Sequence, residues 1–132
     1  MEKTLVLIKP DAVRRSLIGQ ILHEYERNGL EVIKLNMQLP SLTIAEEHYA
    51  VHSDKPFYGT LLNYITSGQV VAVLLQGNDA VRRVRQINGA TDPKQADDNT
   101  IRYLYGINKT ENAVHASDSL ENVEKEVAIW FG

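Results

Sequence analysis

Val70-Val71-Ala72-Val73-Leu74-Leu75 is the most hydrophobic run of the chain, preceded by Gln69 and followed by Gly77-Asn78. Six residues are too few for a buried helix, and three valines favour extended backbone, so a central strand is expected. Working outward, Thr4 to Lys9 reads as a second buried strand, stopped by Pro10-Asp11. Ile18, Ile21, Leu22 and Tyr25 then mark one face of a helix ending at Gly29. Glu31 to Leu39 alternates Val32, Ile33, Leu35, Met37 and Leu39 imperfectly with polar residues, as a strand would, and Pro40-Ser41 closes it. Helical segments are expected at about Thr43 to Val51, Pro56 to Ile65 and Asn78 to Asn88. Gly89 to Gly106 is polar and reads as a functional loop. Ala113-Val114 would be a short last strand, and Asp118 with Glu121 a capping pair for a helix to Trp130.

The order β-α-β-α-α-β-α-β-α points to an α/β, or α+β, sandwich of ferredoxin-like type, a mainly antiparallel four-stranded sheet covered by helices. A chain of 132 residues suits one domain, 1–132, that buries roughly two thirds of its unfolded surface. The net charge of −3 argues against a nucleic-acid binder that works by phosphate neutralisation. No cysteine is present, which removes disulfides, thiolate catalysis and zinc-thiolate sites. Leu5 to Ile8 is too short for a signal-peptide core or a membrane span, so a soluble cytoplasmic protein is expected.

His115 lies on a short apolar run with Ser117, Asp118 and Ser119 behind it. Imidazole has an unperturbed pKa of about 6.5, so near neutrality a ring nitrogen carries a free lone pair and can attack phosphorus. His23, His48 and His52 share no metal-ligand spacing and read as solvent or packing histidines. At 100° per residue from Leu120, Glu126 falls at about 240°, beside Trp130 at about 280° and Val123 at about 300°. Glu126 therefore flanks the stripe of Leu120, Val123, Val127 and Trp130, where a carboxylate could fix the tautomer of an imidazole on a facing strand. It could equally be a solvated charge beside Lys125. Arg85 lies about 40° from Val81 on its helix, whereas Arg83, at about 200°, points away. Arg85 and Arg102 could together hold the equatorial oxygens of a transferring phosphoryl group. Lys9 stands at a strand end that could open into a site, and Phe57 and Tyr49 could clamp a base or simply pack. No G-x-x-x-x-G-K-[ST] or G-x-G-x-x-G segment occurs, so a phosphate site here must be built from side chains.

Lys9-Pro10-Asp11-Ala12-Val13, Asn88-Gly89-Ala90-Thr91-Asp92-Pro93, Thr100-Ile101-Arg102 and Asn112-x-x-His115-x-Ser117-Asp118-Ser119 together resemble the nucleoside diphosphate kinase family, over Thr4 to Phe131. The resemblance implies a ping-pong transfer of the γ-phosphoryl group of a nucleoside triphosphate to His115 and on to a nucleoside diphosphate. By the family's pattern, Lys9, Tyr49, Arg85, Thr91, Arg102 and Asn112 contact phosphates or ribose, Phe57 stacks on the base, and Ser117 and Glu126 orient the histidine. It further implies Mg²⁺ held mainly by the nucleotide phosphates, no protein metal ligand, and a homo-oligomer, tetramer or hexamer, built from dimers. The chain departs from the pattern at Tyr103, Leu104, Tyr105, Lys109 and Glu111, and carries Ala116 where glycine is usual. These changes bear on base preference and phosphate affinity.

Overall fold

Six consecutive apolar residues need cover on both faces of a strand and pairing on both edges, and the computed structural model, which describes residues 1–132, places them so. Strand β3 (Val70–Gly77) lies between β1 (Glu2–Ile8) and β2 (Glu31–Gln38), and β4 (Val114–Ala116) extends the sheet beyond β1. The order is β2-β3-β1-β4 with every neighbouring pair antiparallel, the ferredoxin-like sheet anticipated from the element order. The helices are α1 (Pro10–Arg14), α2 (Ile18–Arg27), α3 (Leu42–His48), α4 (Tyr58–Ile65), α5 (Ala80–Asn88), α6 (Ile101–Tyr105) and α7 (Leu120–Phe131). None is long and apolar enough to cross a membrane.

The pleat sends alternate residues to opposite faces, and two cores result. Val6, Ile8, Val71, Val73 and Leu75 pack with Ile21 and Tyr25 of α2 and Val84 of α5. Leu5, Leu7, Val70 and Ala72 pack on the other face with Ala45 of α3, Ile65 of α4 and Trp130 of α7. The β1–β4 register sets Leu7 opposite His115, with Val6 opposite Ala116 and Ile8 opposite Val114. His115 therefore projects to the face covered by α3 and α7, whereas Val114 and Ala116 join the opposite core.

Several expectations are corrected. Ala113-Val114 is not the last strand: Ala113 adopts φ 75° and the strand runs Val114–Ala116, with His115 at its centre. The stretch from Gly89 to Gly106 is not all loop, because Pro93–Gln95 forms a 3-10 turn and Thr100 caps α6 by accepting from the Tyr103 N–H. The strand expected over Glu31 to Leu39 is present as β2, an edge strand broken by a bulge at Val32/Lys34, where Val32 packs on the core but Leu35 is 51% and Met37 53% exposed. Leu120, the first residue of α7, is 55% exposed, since side chains of a first turn tilt toward the helix start and past the packed sheet.

The cap of α7 is Ser119 rather than Asp118: Ser119 Oγ accepts from the Asn122 N–H at 3.2 Å, while Asp118 bonds the Asn122 side chain. Ser119→Ala is expected to lower stability by about 1 kcal/mol. A urea titration checks this, with a lower midpoint, an unchanged slope, and a smaller loss for Asp118→Ala.

Candidate active site

The helical-wheel position of Glu126 brings its carboxylate under β4. Glu126 Oε2 lies 2.9 Å from His115 Nε2, and Oε1 accepts from the Ser117 hydroxyl. Burial raises the Glu126 pKa, but the hydrogen bond and charge of His115, the neighbouring His48 ring and the Ser117 hydroxyl outweigh it and hold the carboxyl below its ordinary range. An ionised carboxylate only accepts, so Nε2 must carry the proton and Nδ1 the lone pair. Nδ1 has no protein partner.

His48, read from sequence as an ordinary histidine, belongs to this cluster. Its ring meets His115 edge-on at 4.6 Å, its Nδ1 lies 3.6 Å from Glu126 Oε2, and the Trp130 indole N–H donates to that same Nδ1 at 3.1 Å. Burial, reinforced by the nearby His115 and opposed by Glu126, pulls the His48 pKa down to about 3. His48 therefore stays neutral and leaves Glu126 to His115. The sequence held no signal for it, since α3 is only seven residues long and the Trp130 contact spans 82 positions. Donor atoms of His48, His115 and Glu126 lie within 4.8 Å of one another, but the nearest atoms are already committed to the hydrogen bonds above.

Lys9 follows β1, immediately before α1, and is buried. Its Nζ donates to Asn112 Oδ1 at 2.9 Å and to the Thr110 carbonyl at 3.3 Å. Burial pushes its pKa down to about 8, the Arg102 charge acts the same way, and Asp11 opposes them. Asn112 returns two bonds, from Nδ2 to the carbonyls of Thr91 (3.0 Å) and Lys109 (3.1 Å), so one amide joins three segments. Asp11 Oδ2 accepts from the Ala113 N–H at 3.1 Å and anchors the left-handed residue that leads into the His115 strand.

Arg102 projects from α6, and its two terminal nitrogens donate to the Gly89 and Val114 carbonyls, each at 2.8 Å. Its Nε is buried without a partner. Gly89 permits this arrangement: its φ is 88°, and a Cβ there would stand 2.5 Å from Thr100 Oγ1. Arg85 is exposed on α5 and makes no ion pair, whereas Arg83 turns to the Asn28 and Asn78 carbonyls.

These side chains border one cleft of about 800 Å³, within the range of small-ligand sites. Lys9, Tyr49, Phe57, Arg85, Thr91, Arg102, Asn112, His115 and Glu126 all line it, and Ser117 lies behind Glu126. Tyr49 is nearly buried, its pKa pushed up to about 12 by that burial and by Glu126. Phe57 is 46% exposed at the start of α4, with its ring 5.5 Å from that of His52. The cleft thus sets an unprotonated ring nitrogen among fixed cations, which suits attack on an anionic phosphoryl group.

The family described as nucleoside diphosphate kinase matches residues 2–132. A nucleoside diphosphate kinase of Clostridium perfringens is 50% identical over 131 residues, 99% of this chain and 92% of that protein. One from Saccharolobus islandicus is 45% identical over 131 residues, 99% of this chain and 95% of its own length. Among solved structures, the Aquifex aeolicus nucleoside diphosphate kinase superposes with a TM-score of 0.96 at 40% identity, covering 99% of this chain and 95% of its own. A halophilic nucleoside diphosphate kinase from Halobacterium salinarum in complex with CDP gives 0.95 at 43% identity, over 98% and 87%. Fold, whole-length similarity and the residues gathered at one cleft agree: the chain belongs to the nucleoside diphosphate kinase family.

Proposed function

We propose that Nδ1 of His115 carries a phosphoryl group between two nucleotides that occupy the same cleft in turn. As a nucleoside diphosphate kinase, the protein passes the γ-phosphoryl group of a nucleoside triphosphate to a nucleoside diphosphate. In the first half, the Nδ1 lone pair attacks the γ-phosphorus, the bond to the β–γ bridging oxygen breaks, and the diphosphate leaves with that electron pair. In the second half, a terminal oxygen of another diphosphate attacks the same phosphorus and the N–P bond electrons return to Nδ1. No proton need move, because Nε2 keeps its own and Glu126 compensates the positive charge on the phosphorylated ring. The observation that carries this reading is the 2.9 Å contact between Nε2 and Glu126, which commits the other nitrogen to the cleft.

Lys9, Arg85 and Arg102 neutralise phosphate charge, Thr91 and Tyr49 offer hydroxyls to phosphate or ribose, and Phe57 offers a stacking face that tolerates any base. Asn112 sets Lys9, and Ser117 sets Glu126. Beyond Glu126, the carboxylates on the cleft wall are Glu47 and Asp118, too few for a protein cage. That donor set fits a Mg²⁺ ion that would be carried in on the nucleotide phosphates. When bound, the ion shields phosphate charge. The exposed apolar side of β2, with Leu35 and Met37 and with Leu39 just beyond it, supports a homo-oligomer built from dimers that cover this edge. We read residues 1–132 as one such domain of a cytoplasmic enzyme.

The test is incubation with [γ-³²P]ATP followed by chase with unlabelled diphosphate. The expected result is an acid-labile, base-stable protein label that the chase removes; nucleotide binding without label would leave only a binding module.

Lys9 gives this cleft a pH dependence. A bound phosphate favours the ammonium, so nucleotide affinity is full below about pH 8 and weakens as pH rises through it, by up to about tenfold per unit. Stability runs the other way, because the unfolded chain holds the Lys9 proton up to 10.5 and the folded chain releases it at about 8. The burial penalty that Lys9 imposes below about pH 8 is therefore relieved, and stability rises, as pH climbs toward 10.5. Titrating ADP affinity from pH 7 to 10 checks the first effect, and Lys9→Met should flatten the curve.

A further inference from the structure

Lys109 stands in a turn that is braced on all sides. Asn108 Oδ1 accepts from the N–H groups of Thr110 (3.0 Å) and Glu111 (2.8 Å), the Ile107 N–H donates to the Glu111 carbonyl (2.8 Å), and Asn112 Nδ2 holds the Lys109 carbonyl. The backbone of Lys109 is thus fixed by the same amide that fixes Lys9. Its ammonium, by contrast, has neither a hydrogen bond nor an ion pair. The nearest carboxylate in sequence, Glu111, is taken by Arg14 at 3.9 Å and by Asn108 Nδ2 at 3.3 Å.

The position of Lys109 along the cleft says what that free cation can meet. Lys109 borders the cleft together with Phe57 and Leu61, and on its outer side borders a hollow of about 520 Å³ shared with Thr60 and Tyr64 of α4. Lys109 therefore lies on the part of the cleft wall next to α4, the helix that Phe57 leads into. A base lying on Phe57 would turn its edge toward Lys109. An ammonium has three donors and no acceptor, so it discriminates between base edges. Guanine and hypoxanthine present the O6 acceptor and uracil the O4 acceptor, whereas N7 is common to all the purines and does not discriminate. Adenine and cytosine put an amino donor at the corresponding place.

We infer that Lys109 selects the nucleobase, its ammonium donating to the keto oxygen of a base stacked on Phe57 and so favouring guanine, hypoxanthine and uracil nucleotides over adenine and cytosine ones. The inference rests on the nucleotide-transfer reading of the cleft and deepens it.

The experiment uses the full chain, phosphorylated with ATP, freed of nucleotide and chased in single turnovers with GDP, IDP, ADP, UDP and CDP. Wild type is expected to be dephosphorylated about fivefold faster by GDP, IDP and UDP than by ADP and CDP at subsaturating concentrations. Lys109→Val should bring all five to within about twofold, and Lys109→Arg should keep the order. A loss in Lys109→Val that is equal for all five diphosphates would assign the ammonium to the phosphates and overturn the inference, as would a wild type without preference or a variant with unchanged ratios. IDP and ADP differ at the edge in question, so calorimetric binding of this pair to wild type and Lys109→Val reads the same selectivity without turnover. If no phosphoenzyme forms, the transfer reading fails, and the binding ratio still decides the inference.

Discussion

His115→Ala is expected to form no phosphoenzyme and to exchange phosphoryl groups at least about 10⁴-fold more slowly than wild type, the loss that removal of a covalent carrier entails. The same change leaves Glu126 Oε2 without the imidazole that now lies 2.9 Å away, with only His48 Nδ1 at 3.6 Å. A partly buried carboxylate that keeps the Ser117 hydroxyl on Oε1 but loses the donor to Oε2 costs about 1–3 kcal/mol. His115→Asn separates the two effects, because its amide can still donate to Glu126. It should be as inactive as His115→Ala but nearer wild type in urea midpoint. Labelling with [γ-³²P]ATP and urea titration of the three proteins check both statements.

Arg102→Met carries the second largest effect. Arg102 brings positive charge to the cleft and also joins the Gly89 and Val114 carbonyls, so it fixes the loop after α5 against the His115 strand. Loss of one preorganised donor in such a site lowers turnover about 10²–10³-fold, and two carbonyls losing donors costs about 2 kcal/mol of stability. Arg102→Lys restores charge but not the planar fork that reaches both carbonyls. It should regain part of kcat/KM and little of the stability. If Arg102→Lys regained full stability, the two carbonyl contacts would not be holding the loop.

Much of this architecture was legible in the chain because its signals are local and periodic. The run from Val70 to Leu75 declared a strand buried on both faces, and the stripe of Ile21, Leu22 and Tyr25 declared α2. The wheel position of Glu126 needed only the period of α7, and the contact with His115 across eleven residues followed from it. Signals that depend on distant chain were not legible. His48 joins the site through Trp130 and Glu126, both far along the sequence, and the short helix α3 has no stripe long enough to orient it. The helices α1 and α6 are five residues each and rest on end effects, Pro10 at a first helical position and the Thr100 cap, where periodicity has nothing to count. The alternation in β2 marks a strand but not which of its residues are covered, and Leu35 and Met37 stay exposed. Asp118 and Ser119 are both good caps, and only the geometry of the Asn122 N–H decides between them.

Phosphoryl transfer at His115 turns on which nitrogen of its imidazole is free. Preparing the phosphoenzyme with histidine ¹⁵N-labelled and recording ¹⁵N and ³¹P spectra of the intact protein and of its His115 peptide reads that directly. The expected result is a single phosphorus bonded to Nδ1 of His115, with Nε2 still protonated; phosphorus on Nε2, or on a hydroxyl such as Ser117, would contradict it.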